Sequence, residues 1–137
     1  MTPRVSLLIT GLAVFLLVMV GLGEPTRLQA ESPAVLEISH TQLQLTERSP
    51  KVACLTNVTP NHLDQFSWEE YVALKRRIFE FQSAEDAVVF NADDPASREL
   101  CAQAKGRVFL SSLGGDHGTR GAYLSEGTIY MRRDGRA

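Results

Sequence analysis

The chain has 137 residues, of which 44% are hydrophobic and 22% charged, and its formal net charge is -2 at pH 7. This length and hydrophobic content suffice for one folded domain with a core, which excludes a wholly disordered chain. The near-neutral charge argues against nucleic acid as the main partner, because binding phosphates requires a concentrated basic surface.

The chain begins with an apolar N-terminal segment, residues 1–23, in which Val5 to Gly23 carries no charge. Two interpretations of this segment are open. A continuous apolar run is typical of a membrane-spanning or signal segment, here through residues 5–20. It is equally typical of the truncated approach to a buried parallel α/β core. Residues 24–137 are predicted to form a separate domain under either interpretation.

Beyond a polar linker at 24–32, short apolar stretches alternate with helical patterns. Strands are predicted at 34–38, 52–58, 87–90 and 108–111, helices at 68–81 and from Pro95 towards Gly106, and a hairpin at 122–124 and 128–131. Strands alternating with helices predict an α/β fold with a mostly parallel sheet and flanking helices. The last two strands add a C-terminal hairpin.

The clearest helix is predicted to start at Trp68, because Ser67 and Glu70 form a capping box. At 100° steps around the axis, its apolar residues fill one broad face. Lys75 is the exception, since it lies near the middle of that face. In one interpretation, the aliphatic stem of Lys75 packs against apolar neighbours while its ammonium group reaches water. In the other, the amine is desolvated, partly neutral and able to form a carbamate with carbon dioxide. Both interpretations are open at this point.

A polar loop, Asn57 to Asp64, follows the predicted strand 52–58 and contains His62. Open α/β sheets bind their ligands at the carboxyl ends of the strands. Glu37 lies near the end of the preceding predicted strand and is therefore expected at the same edge. A carboxylate and an imidazole together suit a divalent metal ion, although each alone is more often an ordinary surface residue.

Other motifs have simpler structural interpretations. Asp94 before Pro95 is ordinary helix initiation. Cys54 and Cys101 lie in apolar patterns, so buried free thiols in a reducing compartment are expected. The sequence contains no Ser-His-Asp arrangement, HExxH motif or phosphate loop of the GxxGKT type.

In order and spacing, four motifs resemble the Mur ligases, a family of bacterial cell-wall ligases. They are Leu36-Glu37-Ile38-Ser39 with Gln42-Leu43, Asn57 to Asp64, Tyr71 with Lys75 and Ile78-Phe79-Glu80, and Asn91 to Pro95. The resemblance covers residues 33–95 and implies the family's central ATPase domain. It is strongest to the members that add D-glutamate to UDP-N-acetylmuramoyl-L-alanine during peptidoglycan biosynthesis in the cytoplasm.

The resemblance implies roles for three residues. Glu37 and His62 resemble the family's magnesium ligands, and Lys75 resembles a lysine that is carbamylated and helps to hold a second Mg²⁺. His62 and Lys75 would thus serve catalysis. The family uses ATP to convert the substrate carboxyl group into an acyl phosphate, which the amino acid attacks. Metal ions that bridge phosphate oxygens stabilise the charge in such a transfer.

The sequence also departs from the family pattern. His40-Thr41 stands in place of Ser-Phe, Asn61 in place of an aspartate, and the glycine-rich turn is reduced to Gly21-Leu22-Gly23. No phosphate loop of the family type occurs in the 137 residues, and by the resemblance we expect the UDP-binding domain and the C-terminal domain to be absent from this chain. We therefore expect a fragment that is inactive alone and poorly equipped to bind ATP. The alternatives are a pseudoenzyme that keeps metal affinity, or a non-catalytic α/β binding protein anchored in the membrane through residues 5–20.

Overall fold

The computed structural model describes residues 35–133, so the predicted N-terminal apolar segment lies outside the described residues. The chain divides into two compact units between Gln42 and Leu43. In the first unit, the described residues run irregularly to Ser39 and then enter helix α1 (His40–Gln44), which crosses the division. The Gln42 side chain accepts a hydrogen bond from the Ser39 amide at 2.9 Å, which fixes the first turn of this helix.

The second unit is built on a five-stranded sheet in which sequence order and spatial order coincide. Its strands are β1 (Val52–Leu55), β2 (Ala87–Asn91), β3 (Arg107–Ser112), β4 (Gly121–Ser125) and β5 (Thr128–Arg132). Strands β1 to β4 pair in parallel, whereas β4 and β5 form an antiparallel hairpin. The predicted fold class, a mostly parallel sheet with flanking helices and a C-terminal hairpin, is confirmed.

Helix α2 (Trp68–Glu80) connects β1 to β2 and begins where its capping sequence predicts. The Ser67 hydroxyl accepts from the Glu70 amide at 3.2 Å, and the Glu70 carboxylate accepts from the Ser67 amide at 2.8 Å. These reciprocal bonds satisfy backbone amides that the first turn leaves without helical partners. The helix ends at Glu80, one residue earlier than predicted.

Helix α3 (Pro95–Leu100) and a single 3₁₀ turn (Cys101–Gln103) connect β2 to β3. Asp94 caps the helix by accepting a hydrogen bond from the Ser97 amide at 2.7 Å, and Pro95 occupies the first helical position. This start agrees with the sequence prediction. The regular helix stops well before Gly106, because the 3₁₀ turn replaces its predicted last turn.

The core lies between these two helices and one face of the sheet. In the paired register, Ala53 and Leu55 of β1 align with Val88 and Phe90 of β2, and all four residues are buried. Phe79 of α2 packs edge-on against Phe90, with ring centroids 5.1 Å apart. The alternate residues of the strands point to the opposite face, where Val52 is 67% exposed.

A close backbone approach joins β3 to β4. At Gly121, φ is +148°, and a Cβ atom would lie only 1.8 Å from the carbonyl oxygen of Leu110. The backbone there is also paired, since the Leu110 amide donates to the Arg120 carbonyl at 2.9 Å. Only glycine fits this position, because any side chain would collide with the neighbouring strand.

Three sequence predictions need correction. Residues 35–38 are irregular, so the described part of the strand predicted at 34–38 does not form. Strand β1 ends at Leu55 instead of residue 58, because the polar loop begins earlier. Cys54 is exposed, since it lies on the open face of β1, and Cys101 is half-buried. Among residues 35–133, no helix is both long and apolar enough to cross a membrane.

Candidate functional site

The candidate site lies in the second unit, where the loop after β1 meets the first turns of α2. The loop backbone turns sharply at His62, whose φ is +56°. The carbonyl oxygen of His62 accepts from the amides of Gln65 at 3.0 Å and Phe66 at 3.1 Å. The side chain of Asn61 accepts from the His62 amide at 2.9 Å. These bonds to the amide and to the carbonyl of His62 fix the backbone that carries the imidazole.

The His62 side chain is half-buried beside α2. Its ring centroid lies 6.2 Å from that of Tyr71, and the two planes are inclined at 42°. Tyr71 itself is only 5% exposed, so it provides a rigid wall for the imidazole. His62 lies in the polar loop that follows β1, the strand predicted at 52–58.

Lys75 lies one helical turn after Tyr71 and contacts the same ring. Its ammonium nitrogen is 5.5 Å from the Tyr71 centroid, within the range of a cation–π contact. The lysine is half-buried on the helix. Both side chains therefore lie near the Tyr71 ring, which brings an imidazole and an amine to one part of the surface.

Glu37 lies in the first unit, in the irregular stretch before α1, and is exposed. The strand on which its placement at the sheet edge was argued is not formed in the described residues. Its role as a metal ligand therefore stays a prediction that rests on the family resemblance alone. In residues 35–133, no group of three or more histidine, cysteine, aspartate or glutamate side chains is arranged to hold a metal ion.

The chemistry of His62 and Lys75 fits a metal site only if the lysine is modified. An imidazole binds divalent metals, whereas an ammonium group has no lone pair to donate. A carbamylated lysine would supply carboxylate-type oxygens, which Mg²⁺ prefers. The half-buried amine beside Tyr71 is compatible with that modification.

A hydrogen-bonded network joins the end of β1 to the start of α3, and the sequence motifs do not predict it. Besides capping α3, the Asp94 carboxylate accepts from the Val58 amide at 3.1 Å. The hydroxyl of Ser97, which is fully buried, donates to the Leu55 carbonyl at 3.3 Å and accepts from the Asn91 amide at 3.2 Å. The start of α3 is thus tied to the end of β1. The Asp-Pro signal predicted the cap but gave no sign of these contacts between distant residues.

The neighbouring carboxylate, Asp93, follows β2 and holds the start of the loop between β3 and β4. It accepts from the Ser112 hydroxyl at 2.7 Å and from the Leu113 amide at 2.6 Å. These hydrogen bonds lower the pKa of Asp93 below its ordinary value of 3.8. The ring of His117 lies 3.3 Å from the same hydroxyl. Asp93 and Asp94 therefore secure two separate loops at the carboxyl edge of the sheet.

An open groove of about 430 Å³ adjoins this edge on the uncovered face of the sheet. Polar groups line the part of the groove nearest the carboxyl ends of the strands, and apolar side chains of the hairpin form its floor. The lining residues include Thr56, Asn91, Asp93, Ser111, Leu124 and Ile129. The groove is chemically suited to a flat, partly apolar group that also forms hydrogen bonds.

The mostly parallel sheet, the capped helix and the polar loop after β1 form an α/β domain of the type that the sequence motifs indicate. The chain belongs to the Mur ligase family, since the family's middle-domain profile matches residues 22–136.

Its relatives point to one branch of that family. A UDP-N-acetylmuramoylalanine–D-glutamate ligase of Symbiobacterium thermophilum is 49% identical over 109 residues, which are 78% of this chain and 24% of the relative. The enzyme of the same name from Acidobacterium capsulatum is 46% identical over 101 residues, 72% of this chain and 22% of the relative. The chain thus spans about a quarter of the length of the curated relatives it matches.

Proposed function

We propose that this chain provides the metal- and carbamate-bearing part of the middle domain of a ligase that adds D-glutamate to UDP-N-acetylmuramoyl-L-alanine. The observation that carries the proposal is the placement of His62 and Lys75 against the single ring of Tyr71. Family membership and the names of the relatives support the reaction type. The substrates, ATP and the place of the reaction in peptidoglycan biosynthesis in the cytoplasm belong to the proposal.

In this proposal, His62 and a carbamylated Lys75 hold magnesium in the second unit, and Glu37 stays a ligand that the family resemblance alone predicts. The bound ions would supply positive charge to the phosphate oxygens during acyl-phosphate formation. Lys75 contributes a tethered anion, and Tyr71 limits the orientations of both side chains. The fixed backbone at His62 keeps the imidazole directed at one place, which reduces the reorganisation that ligand binding requires.

The chain alone is proposed to lack ligase activity, because no GxxGKT phosphate loop occurs in its 137 residues. In other Mur ligases, by the resemblance, that loop holds the ATP phosphates. Incubation with ATP, Mg²⁺, UDP-N-acetylmuramoyl-L-alanine and D-glutamate is therefore expected to release no phosphate above background. Release that Lys75→Ala abolishes would show that the chain is itself a ligase and would overturn this part of the proposal.

Metal binding tests the proposed site without requiring activity. Titration of the chain with Mn²⁺, followed by the relaxation of water protons, is expected to reveal a site that His62→Ala weakens by about tenfold or more. His117→Ala is the matched control, because it removes an imidazole at the β3–β4 loop and leaves Tyr71 and Lys75 unchanged. Equal weakening by both substitutions, or no Mn²⁺ binding, would contradict the proposed site.

A further inference from the structure

The Asp94 carboxylate connects two elements that are far apart in sequence. A single oxygen of this group accepts from the Ser97 amide at 2.7 Å and from the Val58 amide at 3.1 Å. The first contact caps α3, as the Asp-Pro sequence predicts. The second fastens the loop after β1, 36 residues earlier in the chain.

The two residues whose amides donate to Asp94 are both buried. Val58 is 2% exposed and Ser97 is 0% exposed. The Ser97 hydroxyl also donates to the carbonyl of Leu55, the last residue of β1. The start of α3 is therefore bonded to β1 at its end and again three residues further on. Because charge-assisted hydrogen bonds to a carboxylate are stronger than neutral ones, the Asp94 contact stabilises this part of the loop most.

The anchored residue lies close to His62 in sequence. Only Thr59, Pro60 and Asn61 separate Val58 from His62. The proline restricts the backbone between them, and Asn61 bonds the His62 amide. A displacement of Val58 would therefore pass along a short, stiff segment to the imidazole.

We propose that Asp94 is a positioning residue for His62, in addition to its role as a helix cap. It acts through the hydrogen bond from the Val58 amide, which fixes the position of the loop after β1 relative to the start of α3. The inference rests on the proposed metal role of His62 for its functional consequence. Its geometric content, that Asp94 determines where His62 lies, is independent of metal.

Three substitutions separate positioning from capping. Asp94→Ser keeps an N-cap residue, but its oxygen lies one bond closer to the backbone and cannot reach Val58. Asp94→Asn keeps a carbonyl oxygen where the carboxylate oxygen stands, so it preserves both contacts. Asp93→Ser is the matched control, because it removes the adjacent carboxylate, which bonds the β3–β4 loop instead.

The first measurement compares NMR spectra of the full chain without metal. Asp94→Ser is expected to shift the His62 amide and ring signals and to speed hydrogen exchange at Val58 by at least about tenfold. Asp94→Asn and Asp93→Ser are expected to leave the His62 signals in place. Unchanged His62 signals in Asp94→Ser, or an equal shift in Asp93→Ser, would overturn the inference. Asp94→Thr, another short N-cap residue, replaces Asp94→Ser if that variant does not fold.

The second measurement follows the broadening of the His62 signals by Mn²⁺. Asp94→Ser is expected to raise the Mn²⁺ concentration for half-maximal broadening about tenfold, at the lower end of indirect effects on metal sites. Asp94→Asn should restore the wild-type value, and a failure to do so would contradict positioning through geometry. If Mn²⁺ leaves the wild-type signals sharp, the proposed metal function fails, whereas the metal-free spectra still decide the role of Asp94.

Discussion

The two faces of the sheet carry similar residues but have different surroundings. On the face beneath α2 and α3, Val88 and Phe90 are fully buried. On the other face, Val52, Ile129 and Met131 remain 67%, 73% and 70% exposed. Apolar residues on both faces are typical of parallel strands that are covered on both sides, a description that fits Val52 of β1, whereas Ile129 and Met131 belong to the antiparallel hairpin. The strand sequences thus carry apolar residues on both faces, whereas the large buried side chains of the described strands lie on one face.

The strongest test of this difference replaces one large residue on each face. Phe90→Ala removes a ring that packs against Phe79, and should reduce the free energy of unfolding by about 4 kcal/mol. Ile129→Ala on the open face should change it by less than about 0.5 kcal/mol, because the side chain already contacts water. Urea unfolding followed by circular dichroism measures both values. Similar losses for the two variants would show that the open face is covered in solution.

Gly121 tests the junction at which the sheet extends towards the hairpin. Gly121→Ala places a methyl group against the Leu110 carbonyl, so β3 and β4 must separate. The expected loss of stability is about 3 kcal/mol, near the upper end for overpacking. Gly127→Ala is a useful control, since it shares a positive φ, +75°, and so carries the backbone cost of the substitution, but a Cβ there meets nothing within 4 Å. If both substitutions have the same small effect, the close approach at Gly121 does not exist.

A smaller effect is expected at the cap of the helix that covers the buried face. Ser67→Ala removes the hydroxyl that accepts from the Glu70 amide. Loss of an N-cap costs about 1 kcal/mol. Ser67→Asp retains an acceptor and should restore most of the stability, as a shift in thermal midpoint would show. Failure of the aspartate to restore stability would mean that the capping box does not operate.

The smallest effect concerns the groove on the open face and depends on pH. The hydrogen bonds from Ser112 and Leu113 lower the pKa of Asp93 in the folded state. Their contribution to stability is therefore present above the ordinary aspartate pKa of 3.8 and is lost as the pH falls through the lower folded-state value. Asp93→Asn should flatten the loss of stability below about pH 4.

Some acid sensitivity should remain in that variant, because hydrogen bonds to Ser83 and Gly118 also lower the pKa values of Asp86 and Asp116. Urea midpoints measured from pH 7 down to pH 2 provide the comparison. If Asp93→Asn leaves the loss of stability at low pH unchanged, Asp93 does not contribute to the pH dependence of stability.

Local signals in the sequence predicted much of the fold. The capping box located the start of α2, the Asp-Pro pair located α3, and strand–helix alternation gave the parallel sheet. Apolar pattern alone misplaced residues 35–38, because a strand needs a neighbour to pair with. It also misplaced Cys54, since an apolar run does not say which of its two faces is covered.

The candidate site was predictable only in part. The position of His62 after a buried strand and that of Lys75 on the apolar face of α2 both follow from sequence periodicity. The contact of Lys75 with Tyr71 follows from it too, because residues four apart lie on the same side of a helix. The contact of His62 with Tyr71 depends on how the loop returns to the helix. The bond from Val58 to Asp94 joins residues 36 positions apart. No local pattern encodes such a contact, because it exists only when two distant segments, the loop after β1 and the start of α3, pack together.

The central claim is that Lys75 is an amine placed to carry a carbamate beside His62. Carbamylation joins the neutral amine to carbon dioxide and releases one proton to solvent, so it is detectable by ¹³C NMR with labelled bicarbonate. The account predicts a carbamate carbon signal that Lys75→Ala removes and Lys105→Ala preserves. Mg²⁺ should increase this signal. Absence of the signal at saturating bicarbonate with Mg²⁺ present, or a signal that survives Lys75→Ala unchanged, would contradict the account.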